Sequence, residues 1–485
     1  MKNFQLAVAF AAAFLLVAAV SINAEQPAPS AHLERPDDPY AGPPTERHIG
    51  EKRSWQRGAH VSVQVNVADG GLNIIGDAAN EPSIAVDPTD PSFIAIGWRQ
   101  FDTILNNFRQ AGLAYSTDGG ASWTFPGVLD PGVFRSDPVL DFASDGTFYY
   151  NSLTPNGDLQ CDLFTSTDGG ATWSDPVYAY GHDKQWMSVD RTAGPGAGNI
   201  YQHWSPFTIG TFNRSIDGGM SFEGPVLLPE RPYWGTTTVA PDGSVYVAGI
   251  ASNSIGIAVV RSTNAQNPSN PPAFDQTVLV DLGGQVAANG LASPNPSGLL
   301  GQIWIAADHS GGDHHGNLYL LASLDPPGLD PLDVMFSRST DGGATWSSPV
   351  IVNDDGPGSQ AWQWFGAMSV APDGRIDVTW NDTRNDPDGW YDSELMYAFS
   401  VDGGETWSNN EILSPPFNPH LGWPQQNKIG DYSDMVSNSS GVHIAYSATF
   451  NGEQDVYYIH LDPNNHVFSD GFETGNLTRW SASAP

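Results

Sequence analysis

Arginine, histidine, carboxylate and indole side chains recur together at a few places along this chain. Trp98-Arg99 precedes Asp102, and Arg135 lies beside Asp137. His182-Asp183-Lys184, His203-Trp204 and Arg231-Pro-Tyr233-Trp234 follow. Further on stand Trp362-Gln-Trp364, Trp380-Asn-Asp382-Thr-Arg384 and Trp390-Tyr391. A last group runs from His420 to Tyr432 and holds Lys428 and Asp431. These residue types suit a sugar: rings stack on indoles, guanidinium groups grip carboxylates and hydroxyls, and carboxyl or imidazole groups move protons. Each residue also has a plainer reading, a Trp closing a core or an Arg paired with its neighbouring Asp. As a set they point to a ligand-binding mouth. His182, Trp204, Trp234, Trp364, Asp382, Arg99, Arg135 and Arg384 are the candidate substrate-binding residues.

The elements that must position them repeat. Ser116-Thr-Asp118-Gly-Gly-Ala-Ser-Trp123 returns from Ser166, from Ser215 with Phe222 for Trp, from Ser339 and from Ser400. Each copy follows a short apolar run, so each reads as a strand entering a tight turn. The Gly pair supplies positive φ, the Asp accepts backbone N–H bonds, and the aromatic residue is expected to bury itself under the hairpin. Between Asp217 and Asp341 there is room for two units, and a decayed copy, Arg261-Ser-Thr-Asn264, lies there. A strand–turn–strand precedes each copy, and a seventh such unit, Asp434 to Tyr446 with Val456 to Ile459, carries none. Repeats of this kind predict an all-β fold, a seven-bladed β-propeller, with a six-bladed one as the alternative. Val61 to Val67 alternates like a strand and is expected beside Val456 to Ile459, completing the last blade.

The repeat also sorts the loops. First-to-second turns and the Asp-Gly-Gly turns lie on one face; second-to-third loops and links between units lie on the other, where the candidate residues fall. Asp308-His309-Ser-Gly-Gly-Asp313-His314-His315 has a zinc-like composition. It occupies a first-to-second turn, away from the mouth, and reads as a polar turn. No metal site and no cofactor is expected, although the acidic balance also fits structural Ca²⁺.

Lys2 followed by an apolar run from Ala7 to Val20 and by Ile22-Asn-Ala24 reads as a bacterial Sec signal peptide over residues 1–24. Residues 25–60 read as a flexible lead, 61–465 as the propeller and 466–485 as a tail. The expected location is the periplasm or the exterior. Cys161 is the single cysteine, so no disulfide can form within the chain. Lys+Arg 19 against Asp+Glu 54 gives a net charge of −35, which disfavours nucleic acid and anionic membrane as partners. A monomer that meets a glycan is expected.

The five octapeptides resemble the Asp box of the sialidase-like (BNR repeat) β-propeller superfamily. That resemblance implies a carbohydrate-active enzyme, with the boxes as peripheral turns. Where such enzymes carry Arg-Ile-Pro, this chain reads Asn80-Glu-Pro-Ser-Ile-Ala-Val86. Three classes stay open. In a retaining glycosidase acting on an anionic glycan, Tyr432 attacks the anomeric carbon, Asp102 or Asp137 protonates the leaving oxygen, and arginines hold the carboxylate. In a uronate lyase, Arg99 or Arg384 neutralises the carboxylate while His203, His182 or Tyr432 takes the C5 proton. The third class binds glycan or protein without catalysis.

Overall fold

The structure, a computed structural model, describes residues 48–462 apart from Arg53, Gly157, Phe207, Ile209, residues 288–291, Pro357 and Trp390. The expected signal peptide and the tail lie outside the described residues. Short β-branched and aromatic runs, separated by Gly, Pro, Asn and Asp, give strands and no helix among those residues. The first five strands are β1 (His48–Lys52), β2 (Ser54–Arg57), β3 (His60–Gln64), β4 (Val67–Ala68) and β5 (Leu72–Ile75). Then come β6 (Ala78–Val86), β7 (Ile94–Phe101) and β8 (Gln110–Ser116), and next β9 (Ser136–Phe142), β10 (Phe148–Asn156), β11 (Asp158–Ser166) and β12 (Val177–Tyr178). The third group is β13 (Trp186–Val189), β14 (Ile200–His203) and β15 (Phe212–Ser215); the fourth is β16 (Thr237–Val239), β17 (Val245–Ile250), β18 (Ile257–Ser262) and β19 (Gln276–Val280). The fifth is β20 (Trp304–Ala307), β21 (Leu318–Leu324), β22 (Asp333–Ser339) and β23 (Val350–Ile351). The sixth is β24 (Gln363–Val370), β25 (Ile376–Asp382), β26 (Glu394–Ser400) and β27 (Glu411–Ile412), and β28 (Asp434–Asn438), β29 (Gly441–Ala448) and β30 (Asp455–Leu461) close the list.

Groups one to six each form an antiparallel sheet in chain order. The last sheet runs β2-β3-β30-β29-β28 and so joins both ends of the described chain. Val63 stands opposite Tyr458 and Gln64 opposite Tyr457, the pairing expected for the alternating run. Two features differ from expectation. The strand leaves this sheet after Gln64, and Val67-Ala68 pairs instead with β5 in a small sheet that also holds β1. Strands also form at 48–57, inside the stretch read as a flexible lead. One indole accounts for part of this: Trp55 packs its ring 5.4 Å from that of Phe450, an anchor that an average over composition hides.

The first strand of each sheet touches the first strand of the next. The contacts run β6 to β9, β13, β16, β20, β24 and β28, and β28 returns to β6. Asp434 stitches that return, accepting hydrogen bonds from Ser83 Oγ at 2.7 Å and from the Ile84 amide at 3.1 Å. Burial pushes its carboxyl up to about 7. A folded-state pKa above the unfolded one means protons are taken up on folding. That contribution is full below the unfolded value of about 4 and is lost as pH rises through about 7. Asp434→Asn should therefore flatten the dependence of stability on pH between about 4 and 7, measured by urea unfolding. An unchanged profile would mean that this carboxyl is ionised in the fold.

The five octapeptides build one turn. In the first, Ser116 Oγ donates to Asp118 Oδ1 (2.8 Å) and accepts from the Gly120 amide (2.9 Å), while Ser122 donates its amide and hydroxyl to Asp118. The same bonds recur around Asp168, Asp217, Asp341 and Asp402. Partial burial pushes the Asp118 carboxyl up, but the hydrogen bonds from Ser122 and Ser116 outweigh it and hold it below the usual carboxylate range. The decayed copy keeps part of the turn, with Ser262 Oγ donating to Asn264. The aromatic closing residue is fully buried only as Trp123; Trp173, Phe222, Trp346 and Trp407 are half-buried.

Candidate functional site

Four carboxylates and four cations meet in the interior at the starts of the inner strands. Glu81 lies in β6 where that strand bulges between Asn80 and Ser83, and its φ is +53°. The bulge turns the side chain toward Arg99, whose Nε is 3.1 Å from Glu81 Oε2 and donates to Asn80 Oδ1 at 2.8 Å. Asp137 in β9 and Lys184 just before β13 also have positive φ. Lys184 Nζ lies 2.5 Å from Asp431, 3.3 Å from Asp137 and 3.8 Å from Glu81. Lys428 Nζ reaches Asp431 at 2.8 Å. Arg109 and Asp183 complete the group and are buried with the rest.

Burial acts against every charge here, and the partners decide the outcome. Burial pushes Glu81 up to about 7, against the pull of Arg99 and Lys184. Asp431 is held well below the carboxylate range, because Lys184, Lys428 and Arg99 outweigh its burial. Lys184 stays charged well above its usual range, since Asp137, Asp431 and Glu81 outweigh the same penalty. Asp183 differs: burial raises its carboxyl well above the ordinary value, and neither oxygen has a hydrogen-bond partner among the described residues.

The other candidate residues scatter around this cluster. The Tyr432 hydroxyl donates to the Pro138 carbonyl at 2.7 Å, and its ring lies edge-on to Trp186 at 5.6 Å. Burial, then Glu81 and Asp137, push the phenol well above its usual range. His203 is buried, with Nδ1 2.8 Å from Thr237 Oγ1, and burial lowers it to about 3. Arg135 is spanned by Asp130 at 2.7 Å and Asp162 at 2.8 Å. His182 lies 3.5 Å from Asp158. Trp204, Trp234 and Trp364 are buried in the packed interior and present no open ring face. Asp102 is half-buried and accepts from Gln110 at 3.1 Å. The expected convergence of Arg99, Arg384, His203 and Tyr432 is thus divided. Arg99 and Tyr432 share the central cluster, His203 bonds to β16, and Arg384 bonds elsewhere.

Arg384 belongs to an open groove of about 540 Å³ between the β23–β24 link and the β25–β26 loop. Trp362 and Tyr391 line it, with ring centroids 6.2 Å apart. Tyr391 continues to His420 at 5.3 Å, and His420 to Trp423 at 5.0 Å. All four rings are half-buried. Arg384 is fixed by Asp382 at 2.8 Å and Asp354 at 2.6 Å, with Asp355 at 3.7 Å, and Asp386 also lines the groove wall. Glu81, Asp355 and Asp386 lie outside the groups legible in the sequence, and Trp423 falls within the one from His420 to Tyr432 without standing out there. Their one signal was position, in links and strand starts on the face opposite the Asp-Gly-Gly turns. The segment from Asp308 to His315 joins β20 to β21, as expected, and Tyr319 donates to Asp308 at 3.1 Å. Among the described residues no group of His, Cys, Asp and Glu is arranged to hold a metal ion, and no helix is long and apolar enough to cross a membrane.

No family model and no curated protein matches this chain. Among solved structures it is similar to a protein of unknown function from Dyadobacter fermentans, at 14% identity and a TM-score of 0.47, over 84% of this chain and 99% of that one. It is also similar to a Hadza microbial sialidase, at 15% identity and a TM-score of 0.43, over 80% of this chain and 66% of that one. A Trypanosoma rangeli sialidase in complex with the inhibitor DANA follows at 14% identity and a TM-score of 0.41, over 85% of this chain. The match spans only 59% of that sialidase.

Proposed function

We propose that the seven successive sheets are the blades of one propeller and that this exported protein binds a glycan in the Trp362–Arg384 groove. The observation that carries this reading is the run of half-buried rings, Trp362, Tyr391, His420 and Trp423, along one face. Such a run offers successive stacking surfaces to the apolar faces of consecutive sugars. Asp386 is an acceptor for sugar hydroxyls, and the fixed Arg384 fork is a donor with little conformational freedom left to lose. Its charge is already offset by Asp382 and Asp354, so a neutral sugar fits this groove better than the anionic one expected from its arginine.

Titration calorimetry with neutral, sialylated and uronate oligosaccharides tests this. Trp362→Ala and Trp423→Ala should each weaken binding of a neutral oligosaccharide at least tenfold while the melting temperature hardly moves. Unchanged affinity in both variants, or no binding across the panel, would end the proposal.

A second reading, hydrolysis at the central cluster, is favoured by Asp183. A buried carboxyl whose pKa is raised by burial is the kind of group that serves as a general acid. On this reading Asp183→Asn removes turnover of any substrate found, and Tyr432→Phe does the same. Retained turnover in both excludes it.

A further inference from the structure

The inner strands enclose a second space at their other ends. A chamber of about 410 Å³ is lined by all seven of them, β6, β9, β13, β16, β20, β24 and β28. It opens on the face of the first-to-second turns, where Pro88, Arg191 and Pro372 form its rim. Its floor is aromatic: Trp186 and Trp304 meet edge to face at 5.2 Å, and Tyr432 backs Trp186. That floor separates the chamber from the charge cluster. The glycan groove lies on the opposite face and shares no lining residue with it.

The wall is largely apolar, with Asp141, Asp434 and His309 as its titratable members beside Arg191. Met187, Met368 and Met435 contribute to it from three different sheets, out of the chain's 7 methionines. Unbranched thioether side chains re-pack around ligands of varied shape, which is why they collect at permissive apolar sites. The volume lies within the roughly 300–1,000 Å³ of small-molecule sites. Above Trp186 and Trp304, the first residues of the four-residue strands β13 and β20, three further residues per strand make it roughly 10 Å deep at the ordinary rise per residue. A deep, narrow apolar space favours a chain over a disc. The rim decides the head group. Arg191 is paired with Asp141 at 2.5 Å and stacks on Phe142 at 4.3 Å, so its charge is spent. The net charge of −35 repels a carboxylate or sulfate. Thr238, Ser369 and Asn438 offer hydroxyl and amide partners at or near the rim.

We propose that this chamber binds a linear aliphatic molecule with a neutral, hydroxylated head, the chain inside and the head at the Arg191 rim. The probe is the neutral fluorophore N-phenyl-1-naphthylamine, titrated into the full-length protein. Saturable binding of one probe per chain is expected. 1-Dodecanol should displace it at least tenfold more effectively than dodecanoate. Ala306→Phe and Val370→Phe fill the chamber from β20 and β24; each that melts like the wild type should bind probe at least tenfold more weakly and keep glycan binding in the groove. Absence of saturable binding, or displacement by dodecanoate as effective as by the alcohol, overturns the proposal without any variant. Wild-type probe affinity in a folded Phe variant overturns it as well, since the probe would then sit elsewhere.

Discussion

Lys184→Met should lower the free energy of unfolding by about 3–5 kcal/mol, the cost of removing one partner from a buried charge group. The ammonium touches Asp431, Asp137 and Glu81 within 4 Å, and all of these groups are buried. Met fills a similar volume, so the loss reports charge more than packing. Without the lysine the three carboxylates are left facing one another with Lys428 and Arg99. Their pKa values then rise in the folded state. Groups raised in the fold contribute stability at low pH and lose it as pH rises, so the deficit should shrink as the solution is acidified toward the unfolded carboxylate range. Adding Asp431→Asn to the variant should restore about 0.5–3 kcal/mol, the coupling expected of groups in contact. Urea unfolding of both variants at several pH values is the measurement. A deficit that grows on acidification would show that the carboxylates are not the source.

Gly120→Ala is the second large effect. Gly120 has φ +86°, and a Cβ there would stand 2.0 Å from Tyr458 Cε1. That ring cannot retreat: its hydroxyl lies 2.7 Å from His443 Nδ1, and the residue is 2% exposed. Strained backbone and overpacking each cost about 1–3 kcal/mol, so a combined loss of about 2–6 kcal/mol is expected. Gly343 is its counterpart in the fourth turn, with φ +79°, but there the Gln276 amide at 3.2 Å and the Tyr246 ring at 3.3 Å leave more room for a methyl group. Gly343→Ala should cost only the backbone part, about 1–3 kcal/mol. Thermal melts of the two variants separate the contributions. Equal losses would mean that the close approach of the Tyr458 ring is irrelevant.

The strands, the five turns and the pairing of the run from Val61 with the last strand were legible because each rests on local chemistry: alternation, Gly at positive φ, and Asp inside the turn. What lay beyond reach is directional. Trp98, Trp204, Trp364 and Trp380 stand near strand ends, where an open site was expected, yet all are buried. Bulges explain part of this. β24 shifts register between Trp364 and Ala367, and β6 between Asn80 and Ser83. Each shift resets which face a side chain takes, and alternation read from the sequence cannot see it. Lys184, Asp431 and Lys428 were singled out by type, but Glu81, the carboxylate in the bulge, was not. Their meeting depends on sheets that are far apart along the chain.

The return contact from β28 to β6, with β3 seated on β30, has a consequence for how the molecule comes apart. In a linear array of repeats the outermost unit has one neighbour and frays first, so amide exchange is fastest at the ends and slows inward. Here each inner strand has a neighbour on both sides, and no unit is outermost. Fraying must begin by parting one of these neighbours, and the places where the two ends of the described chain meet, the β28–β6 contact and the β3–β30 pairing, form the seam. Exchange of the inner-strand amides should therefore be uniform around the seven sheets, and a weakened seam should speed all of them together.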